Sequence, residues 1–209
     1  MEAVADFRTV GAVAPSSRYL TRAMLGPLAL ERARVVVEVG PGTGVMTQAL
    51  LNRIPIDATL LAFEINSRFS RYLRSNVSDS RLDVINASAE MLKKEVHRRG
   101  YQRVDAVVSS LALGFMPEWQ RHAFLNELGS LLGEAGVFTQ YQYLHRLQLK
   151  NGQVRRFDLV QLLERYFRSV QRRFIWRNLP PAFVFACRGP LPSGTRRLLR
   201  SRGQPPGPS

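Results

Sequence analysis

The chain has 209 residues, 45% of them hydrophobic and 22% charged, which suits one domain with a full core and excludes both wholesale disorder and two complete domains. Thirty basic residues against sixteen acidic leave a net charge of +14, carried almost wholly by arginine, since Lys93, Lys94 and Lys150 are the only lysines. A surface of that sign attracts polyanions, either nucleic acid or an anionic membrane face, with a merely cationic soluble surface as the plain alternative.

Cys187 is the single cysteine, so no intrachain disulfide forms, and its place in the apolar run 182–187 marks a buried thiol. Glu2 and Asp6 stand where a signal peptide would be basic or apolar. The longest apolar stretches, 106–117 among them, fall short of the ~20 residues that span a bilayer. The expectation is a cytoplasmic protein whose membrane contact, if any, is peripheral.

Residues 1–30 precede the main repeat. Val4, Phe7 and Val10 mark one helical candidate over 2–10, and Pro15-Ser16-Ser17 starts another over 17–25. In the second, Tyr19, Leu20, Ala23 and Met24 recur at helical spacing, while Arg18 and Arg22 sit side by side. That is the layout of a short interfacial helix, marginal alone in water and expected to order on lipid. Gly26-Pro27 ends it.

From Arg34 the period changes. Val35-Val36-Val37-Glu38-Val39 is the β-branched run of a strand buried on both faces. Gly40 to Gly44 punctuate it, and a helix over 45–53 follows. Further strands are expected at 59–63, 82–86, 104–109 and 136–143, alternating with helices at 67–76, 89–99, 118–132 and 157–167. Strands at 170–177 and 182–188 close the series. Such alternation implies right-handed βαβ units: an α/β fold with a Rossmann-like, seven-stranded, doubly wound sheet behind an N-terminal helical extension. The division is an amphipathic segment over 1–30, a domain over 31–189, and a Pro-, Gly-, Ser- and Arg-rich tail over 190–209 expected to be disordered.

In such sheets the ligand sits beyond the carboxyl ends of the strands. There the sequence places Glu38-Val39-Gly40-Pro41-Gly42-Thr43-Gly44, a GxGxG turn with an acid two residues before its first glycine. Glycines let backbone approach a ligand closely, with a helix start just behind. Twenty residues past Gly44 stands Glu64, followed by Ile65, where a carboxylate can accept both ribose hydroxyls of an adenosine. Asn86-Ala87-Ser88-Ala89-Glu90 follows the third strand, where an adenine edge would lie, and Ser109-Ser110-Leu111-Ala112 follows the fourth. The bland alternative makes Glu38 and Glu64 surface acids.

Over about 34–188 this constellation resembles the class I S-adenosylmethionine-dependent methyltransferases. The resemblance implies S-adenosyl-L-methionine as cofactor, held by Glu38, Gly40, Gly42, Gly44, Glu64, Ile65, Ser88, Ala89, Ser109 and Leu111, the last two beside the sulfonium. Many relatives carry Asp where Ser88 stands, which leaves the adenine contact to backbone or to Glu90. No Cys/His cluster has metal-ligand spacing, so no metal is expected.

Adenine-N6 methyltransferases of DNA and rRNA carry an Asn/Asp-Pro-Pro-aromatic type of motif after the fourth strand, which holds a flipped base. Residues 109–112 have none of these. The Asn86-Ala87 run and the charge superficially resemble the rRNA adenine dimethylases, but those add a C-terminal helical domain for which this chain has no room. Nucleic acid is the disfavoured acceptor.

Three stretches are instead similar to bacterial phospholipid N-methyltransferases, which methylate phosphatidylethanolamine: 9–17 (TVGAVAPSS), 136–143 (GVFTQYQY) and 176–184 (WRNLPPAFV). The resemblance implies an aminophospholipid acceptor at an anionic membrane surface on the inner face of the cell membrane. It also implies a helix over 17–25 that lies on lipid and covers the cofactor; ornithine lipid and RNA are the alternatives. Amine methylation needs in-line positioning and tolerance of cationic nitrogen more than a strong acid. Tyr19, Tyr141 and Tyr143 are the candidates, and strand alternation puts the last two on one face. Core aromatics with satisfied hydroxyls are the other reading of that pair. Arg18 and Arg22 are candidates for lipid phosphate, or a solvated helix face. His145 is a candidate base or a bystander, and His97 and His122 are expected to be surface bystanders.

Overall fold

The structure, a computed structural model, describes residues 17–143, 147–150 and 153–192. The valine run forms β1 (Val35–Val39), buried at every position because it is flanked by parallel strands on both edges and helices on both faces. Its neighbours are β2 (Thr59–Phe63) and β4 (Val104–Ser109), and β3 (Leu82–Ile85) lies beyond β2. Outside β4 come β5 (Leu132–Tyr143), then β9 (Ala182–Pro190) and β8 (Phe167–Ile175), the last two antiparallel. The sheet order is β3-β2-β1-β4-β5-β9-β8, the seven-stranded doubly wound arrangement expected from the sequence.

Alternate residues of β1 feed two cores. Val35, Val37 and Val39 face a layer with α4 (Leu92–Arg98), α5 (Glu118–Leu131) and α6 (Leu159–Glu164). Val36 faces one with α1 (Arg18–Leu25) and α2 (Val45–Leu51). The remaining helix, α3 (Ser67–Asn76), follows β2.

Several boundaries depart from the sequence reading. Helix α5 runs straight into β5, and the glycines at 133 and 136 mark a bulge rather than a loop: Val104 pairs with Leu132 while Ala106 pairs with Val137. Helix α6 is shorter than expected because Tyr166 and Phe167 are buried aromatics of the strand side, so β8 begins at Phe167. Strand β9 continues to Pro190, and the Leu191 N–H donates to the Tyr166 carbonyl. Strands β6 (Leu147–Lys150) and β7 (Gln153–Arg156) pair as a small hairpin beyond the expected strands, and the sequence between them, Asn151-Gly152, is the usual signal for one. The helical candidate at 2–10 and His145 lie outside the described residues.

One correction bears on function. The apolar face of α1 is not offered to lipid: Leu20 and Met24 are fully buried and Ala23 and Leu25 nearly so, packed against β5, β8, β9 and α2. Amphipathic spacing asks only for an apolar partner, and this sheet supplies it. Ser17 caps the helix, its Oγ accepting from the Leu20 N–H at 3.3 Å and donating to Asn178 Oδ1 at 2.6 Å.

Candidate functional site

The glycine turn is laced to its neighbours beyond the strand ends. The Gly40 N–H donates to the Phe63 carbonyl at 2.9 Å, and the Ser110 N–H to the Val39 carbonyl at 2.8 Å. Gly44 has φ +86°, and a Cβ there would come within 2.6 Å of the Leu73 side chain, so the turn closes against α3 only with glycine. Gly42, at φ +56°, has nothing among the described residues within 4 Å of where a Cβ would stand. Its bare backbone faces an open cradle.

Glu64 follows directly on β2 and is buried rather than a surface acid. Its Oε2 accepts from the Gly42 N–H at 3.1 Å and its Oε1 from the Asn66 N–H at 2.8 Å. The Asn86 amide, after β3, donates to the carbonyls of Glu64 (2.7 Å) and Ile65 (3.2 Å). Three strand ends are thereby held as one unit. A carboxylate has about four lone-pair positions, so two acceptor sites on Glu64 remain for a ligand.

Glu38 is fully buried; Thr47 Oγ1 donates to its Oε2 at 2.7 Å, and Oε1 has no partner among the described residues. Burial pushes its carboxyl up to about 8, the Thr47 hydrogen bond opposes this, and the Glu64 charge adds to it. The folded protein therefore keeps this proton where the unfolded chain, with a value of 4.5, has lost it. The stability contributed is complete below pH 4.5 and is lost as pH rises through about 8. The melting temperature should accordingly fall between about pH 5 and pH 8, and Glu38→Gln, which mimics the protonated acid, should flatten that slope. An unchanged slope in the variant would refute the assignment.

Ser88 caps the turn after β3, its Oγ accepting from the Glu90 N–H at 3.4 Å; Ala89 is buried, while Ile65 stands out into solvent. After β4, the fully buried Ser109 accepts from the Leu111 N–H at 3.2 Å. A residue absent from the sequence reading completes this loop. The fully buried Gln140 donates through Nε2 to the carbonyls of Leu111 (2.9 Å) and Tyr141 (2.7 Å), and its Oε1 has no partner among the described residues. A polar residue in the strand Val137-Phe138-Thr139-Gln140 was the available signal.

Beside this loop lies a small, partly open depression lined by residues 110–114, 141–143 and Leu159. The Tyr141 and Tyr143 rings meet edge to face at 5.2 Å, on one face as strand alternation predicts. Tyr19 is placed differently. Its hydroxyl accepts from the Arg18 guanidinium at 3.0 Å, and Arg18 and Arg177 lie 5.0 and 5.6 Å from its ring centre. The Arg18 hydrogen bond and charge draw the phenol below its ordinary value. Two guanidiniums make this corner favourable to an anion rather than an amine. Arg22 is exposed on the same helix.

His122, expected at the surface, is instead largely enclosed: it hydrogen-bonds the Tyr166 hydroxyl and approaches Glu118 at 3.5 Å, joining α5 to the start of β8. Cys187 is buried as expected, and burial pushes its thiol up. Among the described residues no group of three metal-ligating side chains converges, and no helix is long and apolar enough to cross a membrane.

A family model described as a methyltransferase domain matches residues 36–136, a span from β1 into β5 that contains the loops after β1, β2, β3 and β4. The chain is also 30% identical, over 188 residues, to an ornithine lipid N-methyltransferase of Singulisphaera acidiphila, covering 86% of this chain and 88% of that one. The chain belongs to the class I S-adenosylmethionine-dependent methyltransferases. Solved structures share the methyltransferase's fold. A TehB-like SAM-dependent methyltransferase from Corynebacterium glutamicum aligns with a TM-score of 0.58 at 15% identity, over 88% of this chain and 94% of that one. Human methyltransferase-like protein 13, in complex with SAH, aligns with a TM-score of 0.55 at 19% identity, over 90% and 94%.

Proposed function

We propose that this methyltransferase transfers methyl groups to the amine of a membrane aminolipid, at the inner face of the cell membrane. The observation that carries the lipid amine is the similarity, over most of both chains, to a protein named for N-methylating ornithine lipid. The stretches at 9–17, 136–143 and 176–184 keep phosphatidylethanolamine as the first substrate to test. The two lipids share a primary amine a few bonds from an anionic group, carboxylate in one and phosphate in the other.

The crevice residues fit the cofactor: a cradle at Gly42 that a Cβ would fill and, among the described residues, an unpartnered oxygen on buried Glu38 and two unused acceptor positions on Glu64. Glu64 would take the ribose hydroxyls, and Gly40, Gly42 and Gly44 the close-lying chain. Ile65, Ser88 and Ala89 would flank the adenine, and Ser109 and Leu111 the reacting end. Bound there, S-adenosylmethionine supplies an electrophilic methyl on a sulfonium. Tyr141 and Tyr143 then orient the amine and tolerate the ammonium that forms, because aromatic faces attract cations. Gln140 fixes the loop that carries Leu111, so the acceptor depression keeps its shape. Arg18 and Arg177, with Tyr19 between them, suit the lipid's anionic group, with Arg22 adding charge nearby; this assigns Tyr19 to headgroup orientation rather than to the amine.

Lipid mass spectrometry of a host that makes no methylated lipids, with and without this gene, is expected to reveal N-methylated phosphatidylethanolamine or ornithine lipid. Purified protein should likewise label vesicles of those lipids from methyl-labelled cofactor. Labelling of RNA but of neither lipid would overturn the proposal.

A further inference from the structure

Between Phe167 and Pro190 the chain holds five arginines and neither Asp nor Glu. This is the β8–β9 hairpin. Its turn, 176–181, reads Trp-Arg-Asn-Leu-Pro-Pro, and the structure spends only one of these side chains on the interior. Asn178 is buried, donating from Nδ2 to the Pro180 carbonyl at 2.6 Å and accepting the Ser17 hydroxyl of α1. With the turn pinned from inside, Trp176 is left 66% exposed and Leu179 84% exposed, with Phe174 at 46% just before them. Arg172, Arg173 and Arg177 are exposed alongside. The Arg177 guanidinium lies 4.8 Å from the Trp176 ring centre.

Strand register fixes where this turn sits. Ala182 pairs with Ile175 on one side and with Tyr143 on the other. The turn therefore projects beyond the carboxyl edge of the parallel strands, beside a residue that lines the acceptor depression. Arg18, at the start of α1, is brought to the same rim by the Ser17–Asn178 bond.

We propose that this turn is the membrane-docking element: Trp176 and Leu179 enter the interfacial region of an anionic bilayer while Arg177, Arg18 and Arg172 meet lipid phosphates. The proposal takes its lipid from the aminolipid reading above. Tryptophan favours the bilayer interface, and arginine keeps its charge at phosphate level while its stem follows apolar surface. An anionic leaflet attracts a hairpin with this charge imbalance. RNA would explain the arginines but not an exposed aliphatic Leu179, which offers no face for base stacking. Docked this way, the acceptor depression opens at the height of the headgroups, so an amine reaches it without its lipid leaving the bilayer.

The test uses the full chain with Trp119 replaced by Phe, which leaves Trp176 as the sole tryptophan. Vesicles of phosphatidylethanolamine with phosphatidylglycerol should shift its emission to the blue and shield it from an aqueous quencher, whereas purely zwitterionic vesicles should do so weakly. In the otherwise native chain, Trp176→Ser with Leu179→Ser should reduce vesicle co-sedimentation at least tenfold, with an unchanged melting temperature and unchanged thermal shift by S-adenosylhomocysteine. Arg177→Glu should reduce it severalfold, and more at low salt. The proposal is overturned if the protein sediments with vesicles while Trp176 emission stays put, or if the double variant sediments like wild type. It is also overturned if only RNA, or only rising protein concentration, produces the shift. If Trp176 inserts but no aminolipid is methylated, the docking surface stands and the substrate assignment falls.

Discussion

Glu64→Ala is expected to weaken S-adenosylhomocysteine binding by at least about a hundredfold. Hydrogen bonds to a charged group contribute ~1.5–3 kcal/mol each, and two ribose hydroxyls would lose their acceptor together. The substitution also releases the Gly42 N–H from its 3.1 Å bond, so the cradle itself loosens. Calorimetric titration should show the loss directly, and the thermal shift that ligand produces in the wild type should vanish with it. Glu64→Gln separates the two contributions, because the amide keeps one acceptor oxygen and nearly the same shape; its affinity should fall between the other two. Gly42→Val, placed where a side chain meets only open space, should block the ligand while costing stability through its positive φ alone. Wild-type affinity in Glu64→Ala would remove the ribose assignment and with it the placement of the cofactor.

Both acids of that site were legible in the sequence, since each follows a β-branched or apolar run that can only be a buried strand. Their fates differ in ways that spacing does not record. Glu64 turns back to hold Gly42, whereas Glu38 is fully buried, keeps one oxygen unpartnered among the described residues and holds its proton. The role of Gln140 is hidden in the sequence because the Leu111 carbonyl it holds lies 29 positions away and becomes a neighbour only when β5 pairs with β4. The same holds for His122, whose Tyr166 partner lies 44 positions away. Tyr19 reads like Tyr141 and Tyr143 in one dimension, an aromatic near basic residues. Folding brings Arg177 across from the β8–β9 turn and turns its surroundings cationic. Periodicity reports that a face is apolar, not what covers it, and α1 is the case where this matters most.

Deleting residues 1–25 should accordingly unfold or aggregate the protein, rather than yield a stable core that merely fails to reach its lipid. Leu20 and Met24 are fully buried among residues of β5, β8, β9 and α2, so their removal opens the second core along its length. Leu20→Ala or Met24→Ala alone should cost ~2–5 kcal/mol, the usual range for such truncations in a core. In a domain of this size that lowers the melting midpoint by roughly 5–20 °C. Arg18→Glu with Arg22→Glu provides the contrast: both side chains are exposed, so the melting temperature should stay within a few degrees while vesicle binding weakens. Ser17→Ala lies between, because it leaves Asn178 Oδ1 without its donor and slackens the turn that presents Trp176 and Leu179. A loss of vesicle binding on deleting the segment is therefore no evidence for a lipid-bound helix, since the deletion takes away both a core wall and the anchor of the β8–β9 turn. A truncated chain that melts within a few degrees of the full one would show instead that α1 is dispensable to the core.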